Sequence, residues 1–252
     1  MPRDTNLVYL YDGTLEGFLC CVYESYARRE EPADIRTRDA SQAMLFEETT
    51  WITTDLEHAQ KVYVSLDRRI CLETQDFIRK AFLTCDPQKE LLMYRFIRLG
   101  YHFGRAVFDR LTDDTVHRLN KAVRYLEREA HNYMGFVRFT QYDRVLVSCI
   151  APQNRVLPLL GEHFSDRYPD ETFLIYDRTH KMALVHKPEG TLLTSLEKLE
   201  LPDIEDAEKA YRALWRCFQT TIAIEERRNA RCQMNHMPKR YWDEMTEFLA
   251  DE

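Results

Sequence analysis

Glycine and proline are scarce in this chain of 252 residues, with 7 and 9 copies, and no Gly/Ser-rich or Pro-rich linker, internal repeat or low-complexity tract interrupts it. Flexibly tethered domains are therefore excluded. No run reaches the roughly 18 apolar residues of a membrane span, and Met1-Pro-Arg-Asp-Thr5 lacks a basic stretch followed by an apolar one, so a cytoplasmic protein with no membrane contact is expected. The 7 cysteines, Cys20, Cys21, Cys71, Cys85, Cys149, Cys217 and Cys232, are odd in number and scattered, which speaks against a disulfide framework and for reduced thiols. Catalytic signatures are missing as well. There is no Gly-rich phosphate loop, no Gly-x-Ser-x-Gly elbow, no His-Glu-x-x-His helix, no paired Cys-x-x-Cys and no Cys-x-x-x-Cys-x-x-Cys cluster run. On this reading the chain needs no metal and no cofactor, and any chemistry is unlabelled or belongs to a partner.

What is present is material for a folded body. Apolar residues make up 44% and charged residues 31%, enough for a core and for a solvated surface. The net charge of −7 excludes a surface coated in positive charge, but phosphate binding depends on where Lys and Arg cluster, so a local basic patch stays open. The length fits one compact body or two closely packed domains, 1–134 and 135–252.

Leu7-Val-Tyr-Leu-Tyr11 reads as a strand closed by the turn Asp12-Gly13, and Thr14 caps a helix carrying Leu15, Phe18, Leu19, Val22, Tyr23 and Tyr26 at helical spacing. Asp12 at a strand end has the look of a phosphatase nucleophile, but Thr14 stands where that chemistry wants a second Asp, and a turn is the better reading. The polar stretch 28–41 leads to Met44-Leu-Phe46 and Trp51-Ile-Thr53, one or two short strands. From Leu56 to about Met134 the period is helical, broken at Cys85-Asp-Pro87 and Leu111-Thr-Asp-Asp114, which predicts about four helices. The last carries the stripe Val116, Leu119, Val123, Leu126, Ala130.

After Gly135 the period alternates. Phe136–Phe139 with Arg144–Ile150, and Thr172–Tyr176 with Met182–His186, read as two hairpins around a helix over 154–168. The fold class is α+β: a mostly antiparallel sheet from two hairpins with flanking helices and a helical N-terminal half, with a βαβ unit disfavoured. Helices over 203–224 and 241–249 complete the chain.

Three constellations could carry function. The run Arg227, Arg228, Arg231, Lys239, Arg240, Tyr241, Trp242 holds five cations and two aromatics with no acid among them; Arg and Lys can hold phosphates, and Tyr or Trp can stack on an unpaired base. Composition alone favours a solvated loop whose aromatics anchor the final helix. The second is Glu129, His131 and Arg138 around Gly135, able to do acid–base work or grip an anion; the plainer alternative is a helix-end His and an Arg on a solvated strand face. The third is His163, which could approach His131 or His186, although no ligand spacing supports a metal.

Tyr11-Asp-Gly-Thr-Leu-Glu-Gly-Phe-Leu-Cys-Cys-Val-Tyr-Glu24, Glu129-Ala-His-Asn-Tyr-Met-Gly-Phe-Val-Arg-Phe139, Leu157-Pro-Leu-Leu-Gly-Glu-His-Phe164 and Met237-Pro-Lys-Arg-Tyr-Trp242 together resemble the bacterial family named "probable DNA metabolism protein", a domain of unknown function, in order along nearly the whole chain. The resemblance implies companionship with a radical SAM protein of DNA repair or modification, and relation to a domain fused to uracil-DNA-glycosylase-like proteins. It assigns no catalytic residue. The expected function is that of an accessory protein binding DNA, a radical SAM or glycosylase partner, or both, with Arg138, Arg227, Arg228, Arg231, Lys239, Arg240, Tyr241 and Trp242 as contacts. The alternatives are a nuclease or base-processing enzyme centred on Glu129, His131 and His163, and an adaptor that touches no nucleic acid.

Overall fold

The computed structural model describes residues 6–38, 47–204, 206–223 and 229–248. The chain divides into two compact units, Met1–Leu126 and Glu127–Glu252. The expected strand at Met44–Phe46 and the cations Arg227 and Arg228 lie outside the described residues.

Unit 1 begins with β1 (Leu7–Tyr11), α1 (Leu15–Arg28), β2 (Asp34–Thr37) and β3 (Glu48–Trp51). Both β2 and β3 pair with β1 in parallel, in the order β2-β1-β3. This departs from the sequence expectation, because the crossover through α1 is a βαβ connection. The cue was weak: β2 is only Asp34-Ile-Arg-Thr37, with one fully buried residue, inside a stretch that reads as polar loop. Next come α2 (Leu56–Arg69), α3 (Thr74–Phe82), α4 (Lys89–Phe103) and α5 (Asp114–Phe136), the four helices that the periodicity predicts. Asp55 caps α2 by accepting from the Glu57 and His58 amides, and Asp113 does the same for Thr115 and Val116. Tyr9, Phe18 and Val22 share a core with Leu66, Ile78, Met93, Phe96, Val116 and Leu119. Each such side chain contributes roughly 1.5–3 kcal/mol by leaving water.

The β1–α1 turn shows how close the backbone packs. Gly13 has φ of +82°, a left-handed conformation that suits glycine. Asp12 accepts from the Thr14 amide (2.9 Å) and hydroxyl (2.6 Å) with one oxygen and from the Thr54 hydroxyl (2.7 Å) with the other. Desolvation opposes charge on Asp12, but these hydrogen bonds prevail and hold its carboxyl below the ordinary value. A Cβ on Gly17 would stand 2.3 Å from Asp12 Oδ1 and 2.9 Å from Thr54 Oγ1. Gly17→Ala is therefore expected to destabilise unit 1 by about 1–3 kcal/mol through overpacking, read as a lowered midpoint in urea. An unchanged midpoint would show that the Asp12 cradle yields freely.

Unit 2 holds β4 (Thr140–Tyr142), β5 (Val145–Ile150), α6 (Leu157–Arg167), β6 (Thr172–Asp177), β7 (Met182–Lys187), β8 (Gly190–Ser195), α7 (Asp206–Ile222) and α8 (Ala230–His236). The sheet order is β4-β5-β6-β7-β8; the expected hairpin of Thr172–Tyr176 with Met182–His186 forms as β6–β7, whereas 136–139 is not a strand, because α5 runs on through Gly135 to Phe136 and the partner of β5 is Thr140–Tyr142. The sheet is mixed, because β5 and β6 run parallel across the α6 crossover while the other three pairings are antiparallel. The edge strand β8 and the short helix α8 were not expected. The C-terminal helix predicted over 241–249 is instead a 3-10 turn at Lys239–Glu244. Phe164, Phe173, Ile175 and Leu184 fill the core on the α6 side of the sheet, with Phe173 stacked on His186 at 4.7 Å.

Candidate nucleic-acid interface

Within unit 2, α5 ends at Phe136, just past Gly135, and the chain then turns into β4. Arg138 lies on this junction. It donates to the Gly135 carbonyl (2.9 Å) and the Val137 carbonyl (3.2 Å), and it grips Glu247 through Nη2 (2.9 Å) and Nε (3.3 Å). Beside it opens a groove of about 490 Å³ lined by Gly135, Arg138, Phe139, Phe164, Arg167 and Tyr168, among others. A Cβ on Gly135 would meet nothing within 4 Å. Arg167, at the end of α6, is exposed, with its guanidinium 5.8 Å from the centre of the Tyr168 ring. Tyr168 and Phe139 are half-buried and meet edge to face at 5.6 Å. Two guanidinium groups and two partly accessible rings thus share one concave surface. Guanidinium can hold phosphate, and a ring face can take an unpaired base.

In unit 1 a groove of about 440 Å³ beside Glu31, Arg95 and Arg98 is less suited to an anion. Arg98 is committed there to the Tyr94 hydroxyl at 2.9 Å and to the Glu31 carboxylate.

The residues singled out by sequence are only partly brought together. Glu129 is 1% exposed, and its carboxylate accepts from the Gln153 amide (3.1 Å), the Asn154 amide (2.8 Å) and Asn154 Nδ2 (2.7 Å). Arg240 approaches it at 3.3 Å and donates to the Tyr241 hydroxyl. That hydroxyl also accepts from Asn132 Nδ2 at 3.2 Å. Tyr241 is 1% exposed, packed against Tyr133 and Phe136, and therefore presents no face to a base. Glu129, Arg240 and Tyr241 form a lock that seats the C-terminal segment.

His131 is exposed on α5, away from this enclosed carboxylate. His163 is half-buried against Phe164, with Nε2 enclosed and lacking a described partner, and His186 bonds to Thr191 Oγ1 (2.7 Å) and the Pro169 carbonyl. Glu129, His131 and His163 are thus not assembled into an acid–base set. Among the described residues no group of three or more His, Cys, Asp or Glu is placed to hold a metal ion. Trp242 donates its indole N–H to the Met237 carbonyl (3.0 Å) and stacks on Phe248 at 4.4 Å. Lys239 is exposed above the Trp242 ring at 5.9 Å, and Arg231 is exposed on α8.

A second buried carboxylate lies in the same C-terminal segment. Glu244, 7% exposed, meets Arg178 at 3.4 Å through Oε1, while Oε2 is enclosed without a described partner. Burial pushes its pKa up to about 7 against the pull of Arg178 and the Ala151 amide. Close by, Asp177 accepts from the Thr179 and His180 amides and from His180 Nδ1 (2.6 Å), shaping the β6–β7 turn.

Sequence reading missed Arg167 and Tyr168. They stand at the end of an amphipathic helix with no motif around them, and only the packing of α6 sets them beside Arg138.

The two units define an α+β protein, one parallel three-stranded sheet with helices and one mixed five-stranded sheet with helices. The model of a domain of unknown function, DUF4130, matches residues 87–247, and the chain belongs to that family. No curated protein matches it. No described helix is long and apolar enough to cross a membrane.

Proposed function

We propose that this chain is an accessory protein of DNA repair or modification that holds nucleic acid in the Arg138–Arg167 groove of unit 2, beside a radical SAM or uracil-DNA-glycosylase-like partner. The observation that carries the nucleic-acid reading is the joining of Arg138, Arg167, Phe139 and Tyr168 in one groove. The resemblance to the DNA metabolism family supplies the partner and the cellular process. In an acidic protein such binding is local, so Arg167 supplies an accessible charge while Arg138, already held by Glu247, shapes the wall. Lys239 and Arg231 are further exposed cations of unit 2. The buried Tyr241 does not.

Labelled single-stranded and duplex DNA, titrated across about 50–200 mM salt, tests this reading. Arg167→Glu is expected to weaken binding about tenfold or more and to reduce the slope of log affinity against log salt by about 0.7–0.9 per lost phosphate contact. Tyr168→Ala is expected to weaken single strands more than duplex, because only an unpaired base offers its face. Wild type that fails to bind either form, or an Arg167→Glu variant with wild-type affinity and slope, would reject the groove as a DNA site.

A further inference from the structure

Helix α7 leaves its apolar stripe in solvent. On an ordinary surface helix the apolar stripe faces the protein's own core. Here two polar residues are held inward while Asp206 and Lys209 stay in water: Arg212 donates to Thr140 Oγ1 on β4 (2.5 Å) and to Glu208 (3.0 Å), both partners largely covered. Tyr211, Leu214, Trp215, Phe218 and Ile222 recur at helical spacing on another side and are 42–70% exposed. Trp215 and Phe218 stack on one another at 5.8 Å, which joins them into a continuous apolar surface. One flank of the stripe is Ala210, Cys217 and Thr221, all small, uncharged and exposed, so that a second helix can approach closely.

We infer that this face is a dimer interface, and that its occupant is α7 of a second copy of the same chain. The stripe carries no charge with which to recognise an acidic or basic partner, so its complement is another apolar face. Antiparallel pairing about a two-fold axis between Leu214 and Trp215 sets Tyr211 of each copy against Phe218 of the other, aromatic on aromatic. A lipid surface fits less well, because a membrane-lying helix turns its Arg and Lys toward headgroups, whereas Arg212 is spent inward on Thr140 and Glu208 and the exposed Lys209 is paired with Asp206 (3.1 Å). The area is adequate: five large side chains, each covering on the order of 100 Å² of its exposed part, give about 500 Å² per copy and about 1,000 Å² in all, the lower end of specific interfaces. Interfaces at this end of the size range are among the weak and transient ones, so a dissociation constant in the micromolar range is expected. This inference does not depend on nucleic-acid binding.

Sedimentation velocity of the full chain without DNA, over about 1–200 µM, tests it, since a micromolar dimer passes from monomer to dimer in that window. The expected result is a concentration-dependent shift from the 30.1 kDa monomer to twice that mass. Leu214→Glu/Phe218→Glu is expected to stay monomeric with an unchanged thermal melt. Leu214→Ala/Phe218→Ala, which keeps helix propensity, is expected to weaken the dimer at least about tenfold. Wild type that is monomeric throughout, or a Glu double variant that dimerises as tightly as wild type, overturns the inference. So does monomeric wild type that floats with phosphatidylcholine–phosphatidylglycerol vesicles while the Glu variant does not, which would assign the face to lipid.

Discussion

Glu129→Ala is expected to destabilise unit 2 by about 3 kcal/mol or more, the largest effect of any single substitution considered for this protein. The carboxylate is enclosed and accepts from two backbone amides and one side-chain amide just before α6, while its other contact is Arg240. Removing it takes away the carboxylate oxygen that the Asn154 amide and Nδ2 share, and a buried donor that loses its acceptor costs about 1–3 kcal/mol. Arg240, partly exposed, can turn to water, so the loss falls mainly on the turn at 151–156 and on the seating of Tyr241. Glu129→Gln, which keeps an acceptor oxygen, is expected to cost roughly half as much. Urea unfolding gives the energy, and amide exchange should show lost protection at 153–154 and 241–245. A Glu129→Ala midpoint equal to wild type would mean that water replaces the carboxylate at no cost and that the lock is not a stabilising element. Nucleic-acid binding through Arg167 is expected to survive in whatever fraction stays folded.

Glu244 should make stability depend on pH in the direction opposite to most carboxylates. Burial raises its pKa from 4.5 to about 7, so the folded chain binds the proton more tightly than the unfolded one. The resulting stabilisation is fully present below about pH 4.5 and is lost as pH rises through about 7, where the folded carboxylate must ionise with one oxygen enclosed. A difference of that size corresponds to up to ~3 kcal/mol at 1.36 kcal/mol per unit. Glu244→Gln removes the ionisation. Its stability relative to wild type is therefore expected to rise steadily from about pH 4.5 to about pH 7 and to level off above that. Melting temperatures or urea midpoints of both proteins at four pH values read this directly. A wild-type-minus-variant difference that is flat over the interval would show that Glu244 ionises at its ordinary pH and that the enclosed oxygen reaches solvent.

Sequence and structure agree where the signal is local. Val116, Leu119, Val123, Leu126 and Ala130, read as one stripe, are all buried along α5. Asp55 and the Thr14 turn cap their helices as their chemistry suggests. The hairpin β6–β7 follows from alternating apolar residues around Lys181, which has positive φ, whereas β4 begins at Thr140, past the alternation at 136–139, because α5 runs on through Gly135. The candidate site was less legible. In the run 227–242, Arg240, Tyr241 and Trp242 look alike as surface groups, yet two of them close a buried lock whose partners, Asn132 and Glu129, lie more than 100 residues earlier. Nothing beside Tyr241 in the chain distinguishes a ring that stacks on a base from one that fills a core.

The exposed stripe of α7 makes the same point in reverse. Its spacing places the apolar residues near one face of a helix; which side turns inward was decided by Arg212, held by Glu208 and meeting Thr140 of β4 some 70 residues away in sequence. The amino-acid sequence by itself determined the α+β class, the four helices after Leu56, the β6–β7 hairpin and membership of a family of unknown function, because these depend on backbone preference and polarity within a few residues. Only the tertiary structure decided the parallel pairing of β1 with β2 and β3 and of β5 with β6, the burial of Glu129 and Tyr241, and the placing of Arg167 beside Arg138. Each of those rests on contacts between distant segments, whose choice among competing partners is set by how all the surfaces of a unit pack at once and leaves no mark in any single stretch of sequence.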